Sequence, residues 1–126
     1  MVINKNPKNK NLDIPMRLYS IESLYPEMER LAPYIEEITV ESMDFFQKYF
    51  GYKYPFSKYD QVFAHEYKWG AMENAGIVTF NDLYLFKDKV SNEKMLSFGN
   101  TIVHELSHHW FGNLVTMKWW DDLWLN

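Results

Sequence analysis

HELSHHWFGNLVTMKWWDDLWLN occupies residues His104 to Asn126. His104 and His108 stand four apart, with Glu105 between them. Around and before them Met95, Phe98, Ile102, Val103, Leu106 and Trp110 recur every three to four residues, the spacing of a helix with one apolar face. A helix is therefore expected from about Ser91 or Asn92 to near Gly112. Four residues turn through about 400°, so both imidazoles leave one face, about 6 Å apart along the axis. They can share one ion at about 2.0–2.1 Å from each nitrogen. Glu105 sits one step round, where it can take a proton from a water whose pKa zinc lowers towards 7. Two histidines are one protein ligand short of a catalytic zinc site. The alternative reading is a pair of hydrogen-bonded helix histidines. His109 points about 100° away and is expected to pack or to support the ligands. His65, in a strand-like run, is expected to be structural.

Working outward, LVTM reads as a short strand or extended link. WWDDLWLN opens another helix with acids in its first turn, where the helix dipole favours them, and Trp119, Trp120 and Trp124 read as core aromatics. Upstream, Gly70–Gly76 (GAMENAG, opening with GAMEN at Gly70–Asn74) is a glycine-bracketed loop between two strands, Asp60–Tyr67 and Ile77–Phe80, with YLF prolonging the second. Glycine there lets backbone approach a ligand, and Glu73 offers a fixed carboxylate. A turn with a solvated glutamate is the alternative. Pro33 suits the first turn of a helix ending at Phe50 before Gly51, burying Phe45, Phe46 and Tyr49. YKYPFSKYD is a turn-rich link in which Pro55 excludes a central strand. Met16–Ser20 is a short strand, and the Asn/Lys-rich opening through Asn11 a solvated arm or connector. The fold class is α+β, a small mixed sheet packed against helices that include the one bearing His104.

Composition sets outer bounds. Nearly half the residues are hydrophobic and 18% are aromatic, which excludes disorder and is a heavy apolar load for a small free-standing domain. A net charge of −4 gives no footprint for nucleic acid. The absence of cysteine rules out disulfides and thiolate metal sites and fits a reducing compartment. No run is long and apolar enough for a membrane segment.

GAMEN, followed about 30 residues later by HExxHxWFGNLVTMxWWDDLWLN, resembles the aminopeptidase N family of zinc metallopeptidases, within the gluzincins. The likeness is dense over Asp60–Asn126 and looser over the preceding helix and FGYKYPFSKYD. It implies a thermolysin-like catalytic domain and one Zn2+ per complete active site, bound by His104 and His108, with Glu105 as general base. Glu73 would capture the free α-amino group of a peptide. Gly70 and Ala71 would align its backbone, Met72 or Trp69 would border the first side-chain pocket, and Asn74 completes the motif. Asn113 and Trp110 would orient the metal helix. In that family the third ligand is a glutamate after an 18-residue spacer, and His109–Asn126 is such a spacer. The resemblance thus implies that residues 16–126 are the N-terminal part of a catalytic domain cut before its third ligand. Residues 1–15 would be a connector or the end of a preceding β domain. It also implies a downstream tyrosine to stabilise the oxyanion, and no tyrosine follows Tyr84 here. Such a piece is expected to be inactive alone, to be poorly soluble, and to pack against the rest of the enzyme. The expected partners are peptides with a free N-terminus, and neither nucleic acid nor a membrane segment. The expected location is cytoplasmic, with the ectodomain of a membrane-anchored enzyme as the alternative. Two other readings stand beside this one: a thermolysin-like endopeptidase, which a carboxylate at Glu73 argues against, and a non-catalytic metal-binding or interaction module.

Overall fold

In the computed structural model, which describes residues 1–5 and 14–126, the sheet is built around two parallel pairings. Strands β1 (Val2–Lys5), β2 (Met16–Tyr19), β3 (Tyr59–Ala64), β4 (Ala71–Met72) and β5 (Ile77–Asn81) lie in the order β1-β2-β3-β5-β4. β2–β3 and β3–β5 are parallel, while β1 and β4 close the two edges antiparallel. A parallel step needs a crossover. Helix α1 (Tyr25–Phe50) provides one, between β2 and β3. Helix α2 (Asn92–Ser107) follows β5 and packs against α1. The sheet is mixed and the class α+β, as the residue patterns require. No helix among the described residues is long and apolar enough to cross a membrane.

The opening differs from the expected solvated arm, because Val2–Lys5 pairs with β2. The rest of that expected arm, residues 6–11, lies outside the described residues. α1 begins at Tyr25 rather than Pro33, with Pro26 in its first turn and Pro33 inside the helix. Its buried stripe is Met28, Leu31, Ala32, Ile35, Thr39 and Met43. Met28, Leu31 and Ala32 are in register with Ile35, and their burial offsets the backbone bond that an interior proline forfeits. That register turns Phe45 (57% exposed) and Tyr49 (72%) away from the core, contrary to expectation. The two rings stack on one another at 5.6 Å instead.

β3 ends at Ala64, so His65 lies in the turn beyond it and not on a strand. There its Nδ1 meets Asp82 Oδ2 at 2.7 Å. YLF, residues 84–86, does not prolong the strand: Tyr84 closes a 3-10 turn (Asp82–Tyr84), and residues 85 and 86 lie outside any strand. LVTM contributes a single bridge, between Phe111 and Val115. Trp120–Leu125 is a kinked 3-10 helix, and Trp119, Trp120 and Trp124 are exposed in this chain rather than core residues.

Phe63, Phe80 and Phe98 bring sheet and α2 together, with Phe63–Phe80 centroids 5.5 Å apart and Phe80–Phe98 edge-to-face at 6.4 Å. The helices meet at Gly99, where an added Cβ would lie 2.7 Å from Tyr34 Oη and 2.9 Å from Ile38 Cδ1. Tyr34 Oη is fixed there by donating to Met95 O at 2.7 Å. Gly99→Leu is therefore expected to destabilise the chain by about 2–3 kcal/mol through overpacking, read as a lower urea midpoint. An unchanged midpoint would mean that the helices do not meet there.

Candidate active site

α2 starts cleanly, Ser91 Oγ accepting from the Lys94 N–H at 3.3 Å. Phe98, Ile102 and Leu106 are fully buried on one side. Regular helix stops at Ser107, earlier than the expected Gly112, because the next turns tighten: His109 N–H donates to Leu106 O and Trp110 N–H to Ser107 O, both at 3.1 Å. The chain then reverses at Gly112, whose φ is +133°. A Cβ there would stand 2.4 Å from Asn126 Oδ1 and 3.0 Å from His108 Nδ1, so only glycine fits.

The rings of His104 and His108 are perpendicular, with centroids 4.6 Å apart and their Nε2 atoms separated by 3.1 Å. If each nitrogen were about 2.05 Å from a shared ion, that separation would subtend about 100°, near the tetrahedral value. His108 Nδ1–H donates to Phe111 O at 3.1 Å, which leaves its Nε2 without a proton and able to accept. Burial, then the neighbouring His108, hold the His104 imidazole below its ordinary pKa against the pull of Glu73, so its neutral form is favoured. The pair fits two positions of a zinc site. Among the described residues no group of three His, Cys, Asp or Glu side chains could hold a metal.

Glu105 is buried, and its Oε2 has no hydrogen-bond partner among the described residues. Burial, then the charge of Glu73, raise its carboxyl to about 7. Such a group can gain or lose a proton near neutrality. Glu73 behaves oppositely. Burial pushes its pKa up, but its own backbone N–H, Asn126 and the facing His108 and His104 outweigh that and keep it below the ordinary value. Its carboxylate accepts from Asn126 Nδ2 at 2.8 Å, and its carbonyl from Asn113 Nδ2 at 2.7 Å. Asn113 thus ties the GAMEN loop to the segment following the histidines.

The fold gathers His104, His108, Glu105 and Glu73 into one electrostatically connected group. The other GAMEN residues have distinct places. Asn81 N–H donates to Gly70 O at 2.8 Å, and Ala71 is paired with Phe80. Alternation along an antiparallel strand then turns the Ala71 N–H and C=O toward the free edge of β4. Met72 is exposed at that edge. Asn74 shapes the turn, its carbonyl accepting from Ile77 N–H at 3.0 Å and its amide donating to Thr79 Oγ1 at 3.3 Å.

His109 is not a ligand. It is fully buried against Tyr54, Phe56 and Tyr59, accepts from Gly76 N–H at Nε2 and donates from Nδ1 to Glu105 O, both at 3.1 Å. Trp110 packs beside it, its indole N–H donating to Tyr52 O at 2.9 Å.

The model of the "Peptidase family M1 domain" matches residues 34–126. The chain belongs to peptidase family M1. It is 50% identical over 113 residues to Aminopeptidase N of Streptomyces lividans, covering 90% of this chain and 13% of that protein. It is 43% identical over 124 residues to Aminopeptidase 2, mitochondrial, of Saccharomyces cerevisiae (97% of this chain, 13% of that protein). Against Glutamyl aminopeptidase of Bos taurus it is 40% identical over 118 residues (92% and 12%). The chain therefore spans about an eighth of the length of these curated M1 relatives. M1 peptidases are in general zinc-dependent.

Burial lowers the His109 pKa from 6.5 to about 4 against the pull of its backbone partners. The unfolded chain then binds the extra proton between those values. Stability is unaffected above about pH 6.5, falls as the pH drops towards 4, and levels off below. Between pH 7 and pH 5 this one residue is expected to remove about 2 kcal/mol. In urea titrations His109→Gln should lack that increment of pH dependence. An identical slope in both proteins would show that His109 does not remain neutral in the fold.

Proposed function

We propose that this chain carries the metal-binding and terminus-binding part of a zinc aminopeptidase, an exopeptidase that removes residues from the free N-terminus of peptides. One observation carries the reading: the two Nε2 atoms meet at 3.1 Å within the same electrostatic group as two carboxyls of opposite tendency, Glu105 raised and Glu73 lowered. The names of the relatives, Aminopeptidase N and Glutamyl aminopeptidase among them, support it.

When bound, zinc supplies a Lewis acid that polarises the scissile carbonyl and makes water more acidic. His104 and His108 hold it through their Nε2 atoms. Glu105 takes the proton of the attacking water and returns it to the departing amine, a task suited to a carboxyl that titrates at about 7. Glu73, anionic, accepts from the substrate's α-ammonium, which with a pKa of about 7.7–8 is mostly charged at neutral pH. The Asn126 amide that donates to Glu73 is the contact an incoming ammonium replaces. Ala71 offers the outward N–H and C=O that align the substrate backbone along the edge of β4, beside Gly70, and Met72 flanks the first side chain. Fixing the terminus at Glu73 presents only the first peptide bond. It also stops a chain from continuing on the amino side, which disfavours an endopeptidase.

The family resemblance puts the third ligand, a glutamate, next after Asn126, and an oxyanion-stabilising tyrosine further on. On this reading residues 16–126 are the N-terminal part of a larger catalytic domain, with residues 1–15 a connector or the end of a β domain. The exposed aromatic faces around Phe45, Tyr49 and Trp119 would pack against the remainder. The cysteine-free sequence suits a reducing compartment such as the cytoplasm.

In the full-length protein that carries these residues, Glu105→Gln is expected to lower kcat on aminoacyl-anilides by about 1,000-fold with zinc content unchanged. Glu73→Gln should raise KM and erase the preference for free over acetylated termini. A Glu105→Gln protein with ordinary kcat, or wild-type protein indifferent to acetylation, would sink the assignment.

A further inference from the structure

Glu73 and the histidine pair account for the substrate's first residue but leave the rest of the peptide without a recognised place. Two observations bear on that. The first is a polar stripe on α2. Lys94, Ser97, Thr101, His104 and His108 fall within about 80° of one another around the axis. Ser97 is seven residues from His104, about 10 Å along the helix. The second is a cleft of about 420 Å3 at the far end of that stripe, lined by Lys68, Trp69, Gly70, Tyr84, Lys94 and Ser97 among others.

The cleft adjoins the GAMEN edge directly. A Cβ on Gly70 would meet only Tyr84 Oη, at 3.6 Å, so the fold itself does not exclude a side chain there. Tyr84 Oη in turn lies 3.2 Å from Thr101 Oγ1, which stands between the cleft and the histidines on the stripe. Asn81 spends its amide on Tyr67 O (2.6 Å) and Trp69 O (3.3 Å), fixing the loop that forms one wall. Lys68 Nζ is held over the Trp69 indole, 5.3 Å from its centroid. The lining contains two ammonium groups, Lys68 and Lys94, and no Asp or Glu.

The anchored terminus sets the direction. A peptide held by its ammonium at Glu73 and aligned antiparallel to β4 runs towards Gly70, Trp69 and Lys68. At about 3.3 Å per extended residue, 10 Å is about three residues beyond the attacked carbonyl. We propose, resting on the aminopeptidase reading, that this cleft is a downstream subsite selecting a carboxylate at about the fourth residue of the substrate. That carboxylate is supplied either by an acidic side chain or by the C-terminus of a short peptide. Lys68 and Lys94 receive it, and Ser97 adds a hydroxyl donor.

The test uses the full-length protein and two pairs of tetrapeptides. Alanine tetrapeptide as free acid and as amide reads the terminal carboxylate. Ala-Ala-Ala-Glu amide and Ala-Ala-Ala-Gln amide read the side chain. The expected result is a kcat/KM ratio of about five in favour of the carboxylate in at least one pair. That ratio should fall to about one in the Lys68→Gln/Lys94→Gln double variant and persist in Lys68→Arg/Lys94→Arg. The pair that shows it identifies the source. Ratios near one in the wild type, or ratios untouched in the glutamine variant, would overturn the subsite while the wild type still cleaves an alanyl anilide. A wild type that cleaves no anilide would instead bring down the aminopeptidase reading.

Discussion

One neutral imidazole holds the site's two halves together. His109 receives the Gly76 N–H at the threshold of β5 and gives its own N–H to the carbonyl of Glu105 on α2. Both bonds require the same tautomer, and the aromatic box of Tyr54, Phe56 and Tyr59 excludes the water that would otherwise compete. The Glu73 loop therefore cannot move independently of the helix bearing the histidines. Asn113 makes a second tie, to the Glu73 carbonyl. Gly76 can sit there only because its φ is +74° and its missing Cβ would have stood 3.2 Å from Lys58 O. The proposed terminus-binding and metal-binding groups are spaced by this connection and not by the loop alone.

Much of this arrangement is legible in the sequence. The four-residue spacing of His104 and His108 on an apolar-faced helix determines that both rings leave one side, and the structure places their Nε2 atoms together. The short strands β3 and β5 are signalled by β-branched and aromatic residues bounded by turn residues, and β2 only by a weak alternation. The features that escape are set by tertiary context. Pro33 resembles a helix start because local rules favour proline there, yet Met28 and Leu31 extend the buried stripe past it. Phe45 and Tyr49 have the hydrophobicity of core residues, but the phase of α1 is fixed by Ile35, Thr39 and Met43. β1 is masked by its Asn and Lys content, since its partner β2 lies across residues 6–13, beyond any local pattern. The roles of His109 and Asn126 depend on partners more than 30 residues away, which no local periodicity reveals.

The exposed aromatics obey the same logic. In a chain spanning about an eighth of its relatives' length, apolar side chains such as Phe45, Tyr49 and Trp119 mark surface that the sheet and two helices do not themselves cover. The buried core is narrower and runs from Met16 and Leu18 through Phe63 and Phe80 to Phe98 and Leu106.

Trp110 differs from the other four tryptophans. Trp69, Trp119, Trp120 and Trp124 are open to solvent, whereas Trp110 is sealed beneath Phe46, Phe50 and Tyr54, two positions past His108. The chain thus carries its own optical probe: an aqueous quencher such as iodide would darken the four open indoles and leave a blue-shifted emission from the one that borders the histidines. Any rearrangement of those rings could then be monitored in real time without a label.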